Sequence, residues 1–130
     1  MGTKNAAFRN GQATHFGSQF DGGTIELRAS GGAVLAVVNL EATAFGSPTA
    51  GVITAAGLPL SFTGTEAAGS GTAIDSAALR SSNEAQEITG LSVGTSNAHV
   101  IIDNVNIAED QEGSLNTFTI TIPETIADPA

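Results

Sequence analysis

Hydrophobic and polar residues alternate along several short stretches of the chain, which is the pattern of half-buried β-strands. Thr24–Arg28 alternates in this way. Residues 116–122 do so most cleanly, with Phe118, Ile120 and Ile122 on one side and threonines on the other. Both stretches therefore predict strands that bury one face.

Three further stretches extend this pattern. The run 33–40 is apolar at consecutive positions, which predicts a central strand that is covered on both faces. Residues 51–55 and 98–103 are also predicted to be strands. Pro59 cannot donate a hydrogen bond to a neighbouring strand, so residues 58–62 are expected at a sheet edge or in a loop.

Two stretches in the middle of the chain admit more than one structure. Residues 71–80 fit a helix because they contain several alanines, or a strand because serine and threonine surround them, and we take the strand. Ile88 and Leu91 lie at opposite parities of the next predicted strand, with Gly90 between them. A β-bulge at Gly90 would place both on one face.

Short strands separated by turns about every ten residues predict an all-β fold, a compact antiparallel β-sandwich. Jelly-roll and immunoglobulin-like topologies both fit this count. The sandwich is expected to span residues 24–123, followed by a C-terminal tail at 124–130. Residues 1–23 match neither a helical nor an alternating template, so we predict an extended N-terminal arm there.

Half of the six phenylalanines lie in this arm, at Phe8, Phe16 and Phe20. Two interpretations stay open. The three rings fold back onto their own domain, or the arm carries them, together with Lys4 and Arg9, to a neighbouring subunit as anchors.

The charges are distributed unevenly. The chain has a net charge of −9, and residues 81–130 contain eight acidic and no basic side chains. Nucleic acids and anionic membranes would meet almost no cation, so direct binding to either is not expected. No apolar run approaches the about 20 residues that a membrane-spanning helix needs. The first residues contain no hydrophobic run of the signal-peptide type, so synthesis in a cytoplasm is expected.

Candidate catalytic chemistry is sparse. The chain has no cysteine and two histidines, His15 and His99, and neither lies in a nucleophile or phosphate-binding motif. Acidic residues are densest at 103–112, but Val105 occupies a position where a calcium-binding EF-hand loop needs an oxygen ligand. We therefore expect no cofactor, no metal and no enzyme activity. The test for a catalytic site is whether two of four side chains lie within hydrogen-bond reach: Ser70, Asp75, His99 and Asp103.

Several segments between residues 64 and 123 resemble small β-rich proteins that are encoded among the head genes of tailed bacteriophages. The segments that carry the resemblance are GTA at 71–73, LRSS at 79–82, LSVGT at 91–95, VIIDN at 100–104, NIA at 106–108 and TFTITIP at 117–123.

The resemblance implies a decoration or cement subunit on the outer surface of an icosahedral shell, where it binds the major capsid protein and bridges capsomers. At a three-fold position the implied assembly is a homotrimer, whose uncharged threonine- and serine-rich strand faces would pack together. A tail or neck adaptor of the virion, and a small extracellular calcium-assisted ligand-binding module, are the alternatives. The candidate contacts are three phenylalanines and three cations: Lys4, Phe8, Arg9, Phe16, Phe20 and Arg28.

Overall fold

The structure is a computed structural model that describes residues 2–126. Strands dominate this range, as predicted, and they form several antiparallel sheets. The elements in chain order are β1 (Gly2–Thr3), α1 (Ala6–Ser18), β2 (Thr24–Arg28), β3 (Val34–Asn39), β4 (Val52–Thr54), β5 (Leu60–Thr63), a 3-10 helix (Glu66–Ala68), β6 (Thr72–Ala73), β7 (Ser76–Arg80), β8 (Glu87–Leu91), β9 (Val93–Gly94), β10 (Val100–Ile102), β11 (Asn106–Ile107), β12 (Glu112–Thr121) and β13 (Thr125–Ile126).

One large sheet contains four antiparallel strands in the order β3-β2-β7-β8. The alternation predicted for β2 is confirmed, because Ile25 and Leu27 are fully buried whereas Glu26 between them is half-buried. The stretch 71–80 forms strands β6 and β7, so the choice of strand over helix is also confirmed.

The strand predicted at 33–40 is β3, but its expected central position is wrong, since β3 ends this sheet. The chain that follows β5 covers its outer edge. The backbone N–H of Thr65 donates to the carbonyl of Leu35 at 2.7 Å, and the Thr65 hydroxyl donates to the carbonyl of Val34 at 2.7 Å. This cover explains how an edge strand buries Leu35 and Ala36 at consecutive positions.

A bulge interrupts the pairing of β7 with β8, as predicted. Ala77 pairs with Leu91 and Leu79 pairs with Ile88, so a step of two residues in β7 faces a step of three in β8. Gly90 takes up the extra residue with φ of 75°, a left-handed conformation that glycine adopts without strain.

The second large sheet is built around β12. Its order is β4-β12-β10-β9, and β5 also pairs with β12. One pairing departs from the predicted antiparallel arrangement, because β9 and β10 run parallel, with Val93 opposite Val100. Between them the loop 95–99, with Asn97 at φ of 51°, carries the chain back to run in the same direction.

The remaining strands form two small sheets, β6 with β11 and β1 with β13. The pairing of β1 with β13 places Gly2 opposite Ile126 and brings both ends of the described chain together. Within the predicted C-terminal tail, Thr125 and Ile126 form β13, and residues 127–130 lie outside the described part of the chain.

Both large sheets contribute to one hydrophobic core. Its fully buried large side chains are Ile25, Leu27, Leu35, Val38 and Leu79 from the four-stranded sheet, Ile53, Val100, Ile102, Leu115 and Phe118 from the sheet around β12, and Ile107 from β11.

The helix α1 occupies most of the predicted arm, so the expectation of an extended N-terminal segment is wrong. Asn5 caps the helix, because its side-chain oxygen accepts a hydrogen bond from the backbone N–H three residues later. Ala13 and Gly17 lie about one turn apart and are buried. Their small size lets the helix approach the core, and Phe20 is buried directly after it. No helix among residues 2–126 is long and apolar enough to cross a bilayer.

Candidate interaction surface

One side of α1 is closed against the body of the protein. A methyl group placed on Gly17 would lie 3.3 Å from Cβ of Phe45 and 3.4 Å from Cδ1 of Ile53. The side-chain oxygen of Asn10 accepts a hydrogen bond from the backbone N–H of Gly51 at 2.8 Å. The helix is thus fixed to the segment before β4 by close packing and by a polar contact.

The structure separates the three phenylalanines that were predicted as anchors. Phe20 is 4% exposed. Phe16 is half-buried, and its ring centroid lies 5.2 Å from that of Phe20 and 6.4 Å from that of Phe45. Phe8 remains 57% exposed. Folding back onto their own domain therefore describes Phe16 and Phe20, whereas Phe8 is available to a partner.

The two cations predicted in the arm make contacts within the chain. The ammonium group of Lys4 donates a hydrogen bond to the side-chain oxygen of Gln12 at 3.1 Å. Nη1 of Arg9 donates to the carbonyl of Ala50 at 2.8 Å, and Nη2 lies 3.4 Å from Oε1 of Glu124. Both cations tie α1 to itself or to the body.

Arg28, the third predicted cation, belongs to an ion network on the outer face of the four-stranded sheet. The network consists of Glu26, Arg28, Arg80, Glu84 and Glu87. Glu26 contacts both guanidinium groups, and Nη1 of Arg80 donates to its Oε2 at 3.1 Å. Nη1 of Arg80 also lies 3.2 Å from Glu84, while Nε lies 3.2 Å from Glu87 at an angle that makes no hydrogen bond. Arg28 Nη2 lies 3.8 Å from Glu87.

The pKa values in the ion network favour its charged form. Burial alone would raise the pKa of Glu26, but hydrogen bonds and charge from Arg28 and Arg80 outweigh it and hold that pKa below its ordinary value. The hydrogen bond to Glu26 in turn raises the pKa of Arg80. Arg28 is therefore engaged by its own domain at neutral pH.

The other side of α1 is open. A groove of about 740 Å³ separates the helix from the start of β8, and we call it the α1–β8 groove. A methyl group placed on Gly11 would have no neighbour within 4 Å. The groove is lined by one side of α1, the start of β8 and the end of the β12 segment: Ala7, Phe8, Gly11, Gln12, His15, Phe16, Gln19, Phe20, Gln86, Glu87, Ile88 and Ile122.

The α1–β8 groove follows the edge of a sheet. Glu87 and Ile88 both line it although they are consecutive residues of β8. Successive side chains of a strand point to opposite faces, so a groove touched by both lies along the strand edge. Within the described residues, β8 ends its sheet and pairs with β7 alone. An apolar groove and an unpaired strand edge therefore lie side by side.

A second surface covers the outside of the sheet around β12. The register places Thr119 opposite Thr54, Thr121 opposite Val52 and Thr117 opposite Ile101. These side chains point away from the buried Phe118. We call this uncharged surface the threonine face, and it consists of Val52, Thr54, Ile101, Thr117, Thr119 and Thr121.

His99 lies at the border of the threonine face and contacts Ser92. Nδ1 of His99 is 3.1 Å from the Ser92 hydroxyl and 3.3 Å from the Ser92 backbone N–H, and the hydroxyl accepts a hydrogen bond from the His99 backbone N–H at 2.9 Å. These three contacts join the start of β10 to the residue before β9. In the described range, no hydrogen bond joins any two of the four side chains proposed as a catalytic test: Ser70, Asp75, His99 and Asp103.

The acidic stretch 103–112 contains β11 and the turns on either side of it rather than an assembled ligand set. The carboxylate of Asp103 accepts a hydrogen bond from the backbone N–H of Ser114 at 3.1 Å. Between residues 2 and 126, no three His, Asp or Glu side chains come together at metal-binding spacing.

Comparisons with protein families, with curated proteins and with solved structures gave no match.

Sequence reasoning named Phe8 as a candidate contact but missed the other residues of the groove, Gly11 on the same helix and Ile88 and Ile122 on the opposite wall. One local signal for the helix was present, since Asn5 is a favourable N-cap followed by two alanines. The groove itself has no local signal, because its walls come from segments about 80 and 110 residues apart in the chain.

Proposed function

We propose that this chain is a structural virion protein, a capsid decoration or cement subunit that binds the outer surface of a tailed-phage shell. The observation that carries the proposal is the open side of α1, where Phe8 is 57% exposed beside an apolar groove and a strand edge. Exposed apolar surface beside a groove is typical of protein-binding sites. The resemblance over residues 64–123 supplies the partner, the major capsid protein, and the location, the outside of the virion.

We propose a two-sheet β-sandwich as the architecture of this subunit. The support is that both large sheets bury their inner faces in one core, while their outer faces carry the ion network and the threonine face. α1 packs beside β4 on one side and borders the α1–β8 groove on the other. The sandwich is thereby the rigid body that presents both surfaces.

The mechanism of the proposed subunit is mechanical. Each copy bridges neighbouring capsomers through weak contacts that the symmetric shell repeats, and a second contact forms at high effective concentration once the first is made. Bridging raises the free energy needed to separate capsomers under the pressure of packaged DNA. No reaction and no cofactor enter this mechanism.

A homotrimer is the assembly that we propose at a three-fold position. The threonine face carries no charge although the chain has a net charge of −9, so copies packed through it would avoid direct repulsion between carboxylates.

Light scattering after size exclusion should give three times the chain mass. Thr54→Glu should shift the protein toward the monomer, whereas Asn39→Glu, on the other large sheet, should leave the trimer intact.

Direct contact with DNA or membrane is not part of the proposed function. Arg9, Arg28 and Arg80 each contact a carboxylate of their own chain, so few cations remain for phosphate groups. Synthesis in the host cytoplasm followed by binding to the finished shell fits this charge distribution.

Sedimentation with purified shells tests the proposal. We expect the protein to pellet with shells in hundreds of copies per particle, counted on a quantitative gel, and to raise the temperature at which the shells open. A few copies per particle would indicate the tail or neck adaptor instead. No binding to particles, together with heat released on adding calcium and a glycan, would replace the virion role with the extracellular ligand-binding module.

A further inference from the structure

We infer that the α1–β8 groove binds an extended segment of a partner protein, which adds to the edge of β8 as a further strand and places alternate apolar side chains against α1. The inference deepens the proposed function and rests on it for the identity of the partner, the capsid protein. Its chemistry is argued from the groove alone.

The two edges of the four-stranded sheet differ. The outer edge of β3 is covered by Thr65 and bridged by Gly64. Along the outer edge of β8, by contrast, the described residues supply no strand. Strand edges offer unpaired N–H and C=O groups, and an extended peptide that pairs with them gains affinity from its main chain whatever its sequence.

The groove supplies what a bare edge lacks, namely apolar contacts. Phe8 and Phe16 line the groove from the helix, and Gly11 leaves space between them. Ile88 of β8 and Ile122, after the end of β12, line the opposite wall. Alternate side chains of a bound strand lie roughly 6.8 Å apart on one face. An apolar residue at every second position of the segment therefore meets this wall, while the residues between face solvent.

The charges near the β7–β8 turn determine which residue the bound segment should carry at its nearest end. The ion network there contains three carboxylates and two guanidinium groups, and the Glu84 side chain is 67% exposed. The chain as a whole carries a net charge of −9. A lysine or arginine at that end of the bound segment would complement the excess negative charge, and an acidic residue would be repelled.

The bulge at Gly90 limits the length of the added strand. Bulges twist a strand edge away from a partner and end regular pairing. An added strand can therefore pair only with the residues of β8 that precede Gly90. A template of about three residues gives weak binding by itself. This fits a partner that presents the segment many times on a shell.

A synthetic peptide tests the inference directly. The probe is an acetylated nine-residue peptide with lysine at both ends, valine at alternate positions and threonine between them. Titration followed by backbone amide NMR should shift the signals of Glu87, Ile88 and the Phe8 to Phe16 stretch. The same peptide with alternate amides N-methylated cannot form the ladder, and we expect it to bind at least about tenfold more weakly.

Three variants connect binding to the groove. Phe8→Ala removes the exposed wall and should weaken peptide binding about tenfold, while Val37→Ala, which trims an exposed apolar side chain on β3, should leave it unchanged. Gly11→Leu fills the groove from a helix position with open space and should weaken binding without loss of fold, checked by thermal unfolding.

Absence of shifts at millimolar peptide would overturn the inference, as would equal binding of the N-methylated peptide. This result is separable from the fate of the proposed function. Shell binding that survives Gly11→Leu would leave the decoration role standing and overturn the groove as its site. Peptide binding without shell binding would support the groove chemistry and contradict the capsid partner.

Discussion

The two sides of α1 carry glycines in opposite situations. Gly17 touches Phe45 and Ile53 so closely that an added methyl group would lie within 3.4 Å of both, whereas a methyl group on Gly11 would meet nothing within 4 Å. The two glycines lie six residues apart on one helix. Gly17 permits close packing against the core, and Gly11 borders a space that the described chain leaves open. The helix therefore packs against the core on one side and borders the groove proposed to bind a partner on the other.

This difference between the closed and the open side predicts how far stability depends on each. Phe45→Ala removes a buried ring that packs on Phe16, Phe118 and Gly17, and we expect it to cost about 3–5 kcal/mol of unfolding free energy. Phe8→Ala removes an exposed ring and should cost no more than about 0.5 kcal/mol. Urea unfolding measures both, and a similar cost for the two would remove the distinction.

The two glycines sharpen the comparison, because their substitutions should have opposite signs. Gly17→Ala gains helix propensity but must displace the Cβ of Phe45, which is close to the backbone and cannot swing away, so we expect a net loss of about 1 kcal/mol. Gly11→Ala gains the propensity without a clash and should stabilise by about 0.5–1 kcal/mol. Thermal unfolding of the pair is the measurement, with Gly31→Ala, in an exposed turn, as the control for a glycine outside the helix. Two shifts of the same sign would contradict the assignment of the two sides.

The ion network borders the open side of α1 through Glu87. The pH dependence of the unfolding free energy tests whether this network stabilises the folded sheet. The pKa of Glu26 lies below its ordinary value of 4.5 in the folded protein, so Glu26 contributes stability that is present above the unfolded pKa and is lost as pH falls through the folded one. We expect Glu26→Gln to be less stable at pH 7, by less than about 1 kcal/mol, and to lose less stability than the parent below pH 4.5. Parallel stability curves for parent and variant would show that the network adds nothing to the folded sheet.

The smallest expected effect concerns the ion pair between Arg9, near the start of α1, and Glu124. Glu124 is largely exposed, and surface pairs of this kind contribute between about 0.2 and 1 kcal/mol. Glu124→Gln should change the unfolding free energy by less than about 0.5 kcal/mol, since Arg9 keeps its hydrogen bond to the carbonyl of Ala50. Arg9→Ala, which loses both contacts, should cost more in the same urea titration. A larger effect from Glu124→Gln would mean that the pair, rather than packing, holds the closed side.

The strand-rich body of the fold was predictable because its signals are local. β2 and β12 alternate, and the offset between Ile88 and Leu91 required the bulge that Gly90 makes. The place of β3 was not predictable in this way. Its outer edge is covered by Thr65, about 30 residues later in the chain, and no pattern within the strand reveals that contact.

The helix escaped prediction for a different reason. A typical amphipathic helix shows a stripe of large apolar residues, but α1 makes its buried contact through Ala13 and Gly17. Glycine also has low helix propensity, so tertiary packing outweighs the local preference here. The open side could be foreseen only at Phe8, because the groove exists where that residue meets Ile88 and Ile122 in space.

The number of subunits that bind to each purified shell tests the central claim, that this is a shell-binding protein that uses the open side of α1. The parent protein and an Asn39→Asp control should saturate shells at the same number of copies, because Asn39 is exposed on β3, at the opposite end of the sheet from β8. Phe8→Asp, confirmed to be folded by its thermal transition, should reduce occupancy at least about tenfold at the same concentration. Equal occupancy of Phe8→Asp and parent, or no binding of the parent at all, would contradict the account.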